Sequence, residues 1–186
     1  MQNNIQHILE NNTLIPVVTF SDLKDIESTI QTLLNKNIFC IEVTLRTPCA
    51  LDALRQIKRD YSNQITLGVG TVIQETQIEA VKEIGVDFMV SPATSVRLLA
   101  ALEQSKIPYI TGVATPSDIL LGIEHGCSYF KFFPANLFGG VDALKTYAQL
   151  FPEIKFCPTG GLNETTYADY LSLPNVISVG GSWMLK

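Results

Sequence analysis

Charge is scarce in this sequence. Asp, Glu, Lys and Arg make up 17% of its 186 residues, against about 25% in ordinary soluble chains. Little polar surface is therefore available to cover the 46% that is hydrophobic, which excludes a disordered chain and points to an interior-heavy fold or an oligomer. The formal net charge is -5, so no broad basic surface exists to draw nucleic acid or anionic lipid, and an anionic ligand needs a local site. No run approaches the roughly 20 apolar residues that span a bilayer. The opening residues, Met1 to Asn12, have neither the basic stretch nor the apolar core of a secretory leader, so a cytoplasmic protein is expected. Histidine is limited to His7 and His125, and the cysteines Cys40, Cys49, Cys127 and Cys157 stand singly with no CxxC pair. That spacing argues against a disulfide framework, a structural zinc or a His-based triad; free buried thiols, no metal and no cofactor are the expectation.

What the chain does have is rhythm. Short apolar or β-branched runs at 14–19, 38–44, 65–69, 86–90, 109–113, 129–133, 155–158 and 176–179 predict eight strands. Helical spacing fills the intervals at 22–35, 74–84, 95–105, 141–150 and 164–171, with Ser21 or Asp22 as a first cap. Thr47-Pro48 and Thr115-Pro116 each place a capping hydroxyl before a proline at the first helical position, and Gly85 and Gly126 sit where helices should stop. Strand then helix, repeated, predicts parallel strands with right-handed crossovers. No linker interrupts the pattern, so residues 1–186 are expected to form one domain. A dinucleotide-binding sheet wants GxGxxG after its first strand, where this chain has Thr19-Phe20-Ser21-Asp22. A (β/α)8 barrel is favoured, with minimal loops, because such barrels typically take about 250 residues.

Some residues do not belong in a core. Glu42 lies inside Ile38 to Leu45, and at strand period Glu42, Thr44 and Arg46 share one face, directed into the barrel and up to its mouth. Two readings stand: a structural Glu42 to Arg46 ion pair, or a carboxyl group set up for proton transfer. Lys131 is enclosed by Tyr129-Phe130 and Phe132-Phe133. It is either structural or, because burial disfavours the charged ammonium, an amine free to attack a carbonyl and form a Schiff base. With a carboxyl group nearby, it makes a complete kit for breaking a carbon-carbon bond next to a keto group.

Glycine-rich turns follow the last two strands: Pro158-Thr159-Gly160-Gly161 and Gly180-Gly181-Ser182. Such turns let backbone N-H groups crowd a phosphate, with Thr159, Ser182 and the start of the next helix near Asn163 adding donors; tight turns without a ligand are the alternative. Gly68-Val69-Gly70-Thr71 is similar: Thr71 is a candidate for holding a small carboxylate, or the glycines simply permit close packing.

Taken in order, Glu42-Val43-Thr44-Leu45-Arg46-Thr47, Gly70-Thr71-Val72, Ser91-Pro92, Lys131-Phe132-Phe133-Pro134-Ala135, Pro158-Thr159-Gly160-Gly161 and Gly180-Gly181-Ser182-Trp183 resemble one family. It is that of the 2-keto-3-deoxy-6-phosphogluconate (KDPG) aldolases, many of which also act on 4-hydroxy-2-oxoglutarate (KHG). The resemblance implies a class I aldolase on a (β/α)8 barrel, free of metal and usually a homotrimer. It implies Lys131 as the Schiff-base lysine, Glu42 as the proton shuttle, Arg46 and Thr71 at the pyruvate carboxylate, and Phe133 as an apolar wall. It further implies Thr159, Gly160, Gly161, Gly181 and Ser182 at the phosphate. The substrate class is then a phosphorylated 2-keto-3-deoxy sugar acid, cleaved to pyruvate and glyceraldehyde 3-phosphate. Two rivals remain: the aldolase for the galactonate epimer, and a non-catalytic sugar-phosphate binding barrel. The chain departs from the family in two respects. Only Met184-Leu185-Lys186 follow Trp183, so the expected barrel lacks its final helix. Phe20 also stands where some relatives carry a basic residue near the phosphate, which predicts weaker affinity for the phosphorylated aldehyde.

Overall fold

The structure, a computed structural model, describes residues 2–185, with side chains from Asn4 onward. Its strands are β1 (Leu14–Val18), β2 (Cys40–Thr44), β3 (Thr66–Gly70), β4 (Phe88–Val90), β5 (Tyr109–Val113), β6 (Tyr129–Phe132), β7 (Lys155–Pro158) and β8 (Val179–Gly181). They form one parallel sheet in the order β7-β6-β5-β4-β3-β2-β1-β8. Parallel bridges from Phe156 to Val176 and from Thr159 to Gly180 join the two ends, so the sheet closes into a (β/α)8 barrel.

Helices α2 (Asp25–Asn35), α3 (Ala50–Tyr61), α4 (Glu75–Ile84), α5 (Val96–Ser105), α6 (Pro116–Glu124), α7 (Gly140–Leu150) and α8 (Tyr167–Leu171) follow β1 to β7 in turn. Each buries one stripe against the outside of the barrel, as α2 does with Ile26, Ile30 and Leu33 at four- and three-residue steps. At α6 the expected start is seen in full. Pro116 opens the helix, Asp118 N donates to Thr115 Oγ1 at 3.3 Å, and Thr115 N donates to Asp118 Oδ2 at 2.8 Å. Among the described residues, β8 is followed by a short 3-10 turn, Trp183–Leu185, and no helix is long and apolar enough to cross a membrane.

Four expectations are corrected. Helix α1 (Gln2–Asn11) precedes β1, where none was anticipated. Its Ile5 and Leu9, one turn apart, are fully buried against Ile15, Cys40, Phe88 and Ile110, stopping the amino-terminal end of the barrel. Thr47 does not cap α3: its hydroxyl donates to Phe20 O at 2.6 Å, and the helix begins at Ala50. Strand β8 lies three residues later than anticipated, because Gly180 and Gly181 pair with Ile15 and Pro16 of β1 while Val176 makes only an isolated bridge. The four cysteines are free as expected, but Cys49 is only half-buried.

Candidate active site

Alternation along two strands delivers the central pair. On β6, Phe130 and Phe132 turn outward into the helix-facing core, where both contact Phe156 at 6.4 Å between ring centroids. Lys131 between them must therefore point inward. On β2, Ile41 and Val43 likewise enter the outer core, leaving Glu42 and Thr44 inside. Lys131 Nζ donates to Glu42 Oε1 at 3.1 Å and to Oε2 at 3.4 Å, with both residues only 3% exposed. The ammonium also lies 5.1 Å from the centroid of the Phe133 ring.

Above this pair a cavity of about 270 Å³ opens at the carboxyl ends of the strands. Lys131 and Phe133 line it from β6, Thr159 to Leu162 from β7, Gly181 and Ser182 from β8, Val17 and Thr19 from β1, and Arg46 from β2. The side chain of Arg46 is held by Thr71, whose Oγ1 accepts from Arg46 Nε at 3.0 Å. Thr71 reaches that position in a left-handed backbone, φ +62°. Across the cavity, Gly160 and Gly161 have φ of +98° and +78°, a conformation that side-chain-bearing residues rarely adopt. A Cβ on Gly161 would also overlap the Asn136 amide. Among the described residues, Arg46 and Lys131 are the cations of the lining, and the lining includes no carboxylate.

Beneath the pair the barrel is filled by buried side chains, Cys40 and Cys157 among them. Burial pushes the Cys157 thiol up to about 11, a rise that the nearby Lys131 charge opposes and Glu42 reinforces. Cys40 is pushed higher still, chiefly by burial. Among the described residues no three His, Cys, Asp or Glu side chains gather as metal ligands.

A family model for KDPG and KHG aldolase matches residues 5–186. The chain belongs to that aldolase family. It is 39% identical over 184 residues to the KHG/KDPG aldolase of Escherichia coli K12, covering 99% of this chain and 86% of that protein. The KDPG aldolase of Legionella pneumophila, solved with pyruvate captured as a covalent carbinolamine, superposes with a TM-score of 0.93 at 41% identity over 96% of this chain and 86% of that one. The Zymomonas mobilis KDPG aldolase, solved with 3-phosphoglycerate, gives a TM-score of 0.94 at 36% identity, covering 98% of this chain and 87% of that chain. An aldolase is a carbon-carbon lyase, and this chain is one.

In this aldolase the anticipated residues Lys131, Arg46, Phe133, Thr159, Gly160, Gly161, Gly181 and Ser182 share one cavity. Glu42 lies under it against Lys131, and Thr71 stands behind Arg46 rather than in the lining. A Glu42 to Arg46 ion pair does not form: Glu42 takes Lys131 as its partner and Arg46 takes Thr71. Asn163 is not among the residues lining the cavity. Its Oδ1 accepts from Thr165 N at 2.9 Å, closing its own turn, and α8 starts four residues later. Phe20 faces away from the cavity, 2% exposed in the outer core. Val17, Thr19 and Leu162 line the cavity without having been anticipated. For the first two the signal was present: Ile15, Val17 and Thr19 hold inward parity along β1.

Proposed function

We propose that the chain is a class I, Schiff-base aldolase that cleaves KDPG to pyruvate and glyceraldehyde 3-phosphate, and KHG to pyruvate and glyoxylate. The observation that carries this reading is the buried Lys131 to Glu42 contact of 3.1 Å at the floor of a cavity with Arg46 at one side and the two glycine turns at the other.

Glu42 takes a proton from the Lys131 ammonium, and the freed amine attacks C2 of the keto acid, giving a carbinolamine. Glu42 returns that proton to the C2 hydroxyl, which leaves as water and yields a cationic imine. The C3 to C4 bond then breaks: its electron pair moves into the imine to give an enamine, and the C4 hydroxyl proton passes to Glu42 as the aldehyde forms. The enamine takes that proton back at C3, and water hydrolyses the imine to release pyruvate and regenerate Lys131. Arg46, steadied by Thr71, holds the carboxylate. Thr159, Gly160, Gly161, Gly181 and Ser182 hold the phosphate through hydroxyl and N-H groups. Fixing both ends keeps C3 and C4 over the lysine. Phe133 walls the pyruvyl methylene from water.

Borohydride reduction in the presence of pyruvate, followed by peptide mass spectrometry, tests the mechanism. A pyruvyl adduct on Lys131 is expected, and its absence would overturn the reading. Assay of both C4 epimers is expected to favour the gluconate form; faster cleavage of the galactonate form would reassign the substrate. We also infer one barrel domain over residues 1–186, cytoplasmic and assembled as a homotrimer. Exposed apolar side chains at the barrel mouth, Ile73, Val96 and Leu137, support subunit contact. Sedimentation velocity at a monomer mass would refute the trimer.

A further inference from the structure

Thr44 shares the inward face of β2 with Glu42, yet the mechanism gives it nothing to do. Its side chain is fully buried, and a buried hydroxyl needs an acceptor for its proton. Thr19 Oγ1, 2.7 Å away, is the acceptor available to it among the described residues. Register explains the meeting: Val17 stands opposite Glu42 across the β1 to β2 ladder, so two residues further on Thr19 stands opposite Thr44. Thr44 therefore donates to Thr19. The Thr19 O-H, exposed on the cavity wall, is left to donate into the cavity.

The place of that donor is specific. Strand β1 lies between β2, which leads to Arg46, and β8, which ends at Gly181. A substrate with its carboxylate at Arg46 and its phosphate at the glycine turns passes Thr19 between its two ends. Lys131 takes C2 and Glu42 takes the C4 hydroxyl, which leaves the C5 hydroxyl of the six-carbon chain without a partner. We propose that Thr19, positioned by Thr44, donates a hydrogen bond to the oxygen of the C5 hydroxyl and thereby selects hydroxylated phospho-aldehydes. The role rests on the aldolase reading above. A site that hydrogen-bonds a substrate hydroxyl discriminates against the analogue lacking it.

The test runs the reaction toward synthesis, with pyruvate and either D-glyceraldehyde 3-phosphate or 3-oxopropyl phosphate, which lacks that hydroxyl. The readout is the ratio of the two kcat/KM values, which a general loss of folded enzyme does not move. Thr19→Val is expected to lower the ratio about tenfold. Thr19→Ser, which keeps the hydroxyl, should retain it, and Thr44→Val should lower it in part because the donor is no longer aimed. A Thr19→Val ratio equal to that of the wild type would overturn the proposal. Borohydride trapping on the wild type separates the two failures. No Lys131 adduct removes the aldolase reading and this role with it, whereas an adduct with an unmoved ratio removes this role alone.

Discussion

Gly70 lacks a side chain at the point where Glu42 needs the space: a Cβ built on residue 70 would overlap Glu42 Oε1. The close-packing alternative for this glycine is thus realised, and it serves the site, because the carboxylate that meets Lys131 occupies the volume that any other residue would fill. Gly70→Ala is expected to displace Glu42 and lower kcat by about a hundredfold, while overpacking costs only about 1–3 kcal/mol of stability. Steady-state kinetics beside a thermal melt separate the two effects. Retained kcat would show that Glu42 tolerates the shift.

The Lys131 to Glu42 pair should be strongly non-additive in stability. Removing one partner of a buried ion pair leaves the other charge uncompensated and costs about 3–5 kcal/mol. Lys131→Met and Glu42→Gln are each expected to destabilise by about that much. The double variant, with no buried charge left, should lose clearly less than the sum of the two. Urea unfolding of all four proteins checks this, and simple additivity would refute it.

Thr71 holds Arg46 from a left-handed backbone. Replacement by glycine relieves a penalty of about 1–2 kcal/mol but adds freedom of similar worth to the unfolded chain. The melting temperature of Thr71→Gly should therefore change little. Arg46 loses its brace, so KM for the keto acid is expected to rise about tenfold with a smaller change in kcat. An unchanged KM would mean that Arg46 needs no support.

Alkaline pH should weaken the fold through its buried thiols. In the barrel the Cys157 thiol is raised from 9.0 to about 11 by burial, so the folded state favours the protonated form. Its contribution is complete below pH 9.0 and is lost as pH rises from 9.0 to about 11. Cys40, Cys127 and Tyr109 are raised too, each chiefly by burial, and act in the same direction. Melting temperatures are expected to fall across this interval, with a shallower fall in Cys157→Ala. Equal slopes for the two proteins would exclude Cys157 as a contributor.

Most of the barrel was legible in the sequence because its strands announce themselves by period and punctuation; β5 and β7 begin and end where the pattern says. What was not legible depended on partners distant in sequence. Gly180 and Gly181 look like a turn and become strand only because β1 supplies Ile15 and Pro16 to pair with. Helix α1 was hidden because its apolar stripe is thin and its neighbours are Asn and Gln; its burial comes from the barrel floor. Lys131 and Glu42 stood out as charges in apolar runs, whereas Thr19 is an ordinary residue whose meaning comes from facing Thr44 across a ladder.

Helix α1 also fixes where water goes. Among the described residues, Ile5 and Leu9 close the lower end against Ile15, Cys40, Phe88 and Ile110, and the cavity opens at the other end. The water expelled when the proposed imine forms, and the water that later hydrolyses it, must use the same opening as the substrate.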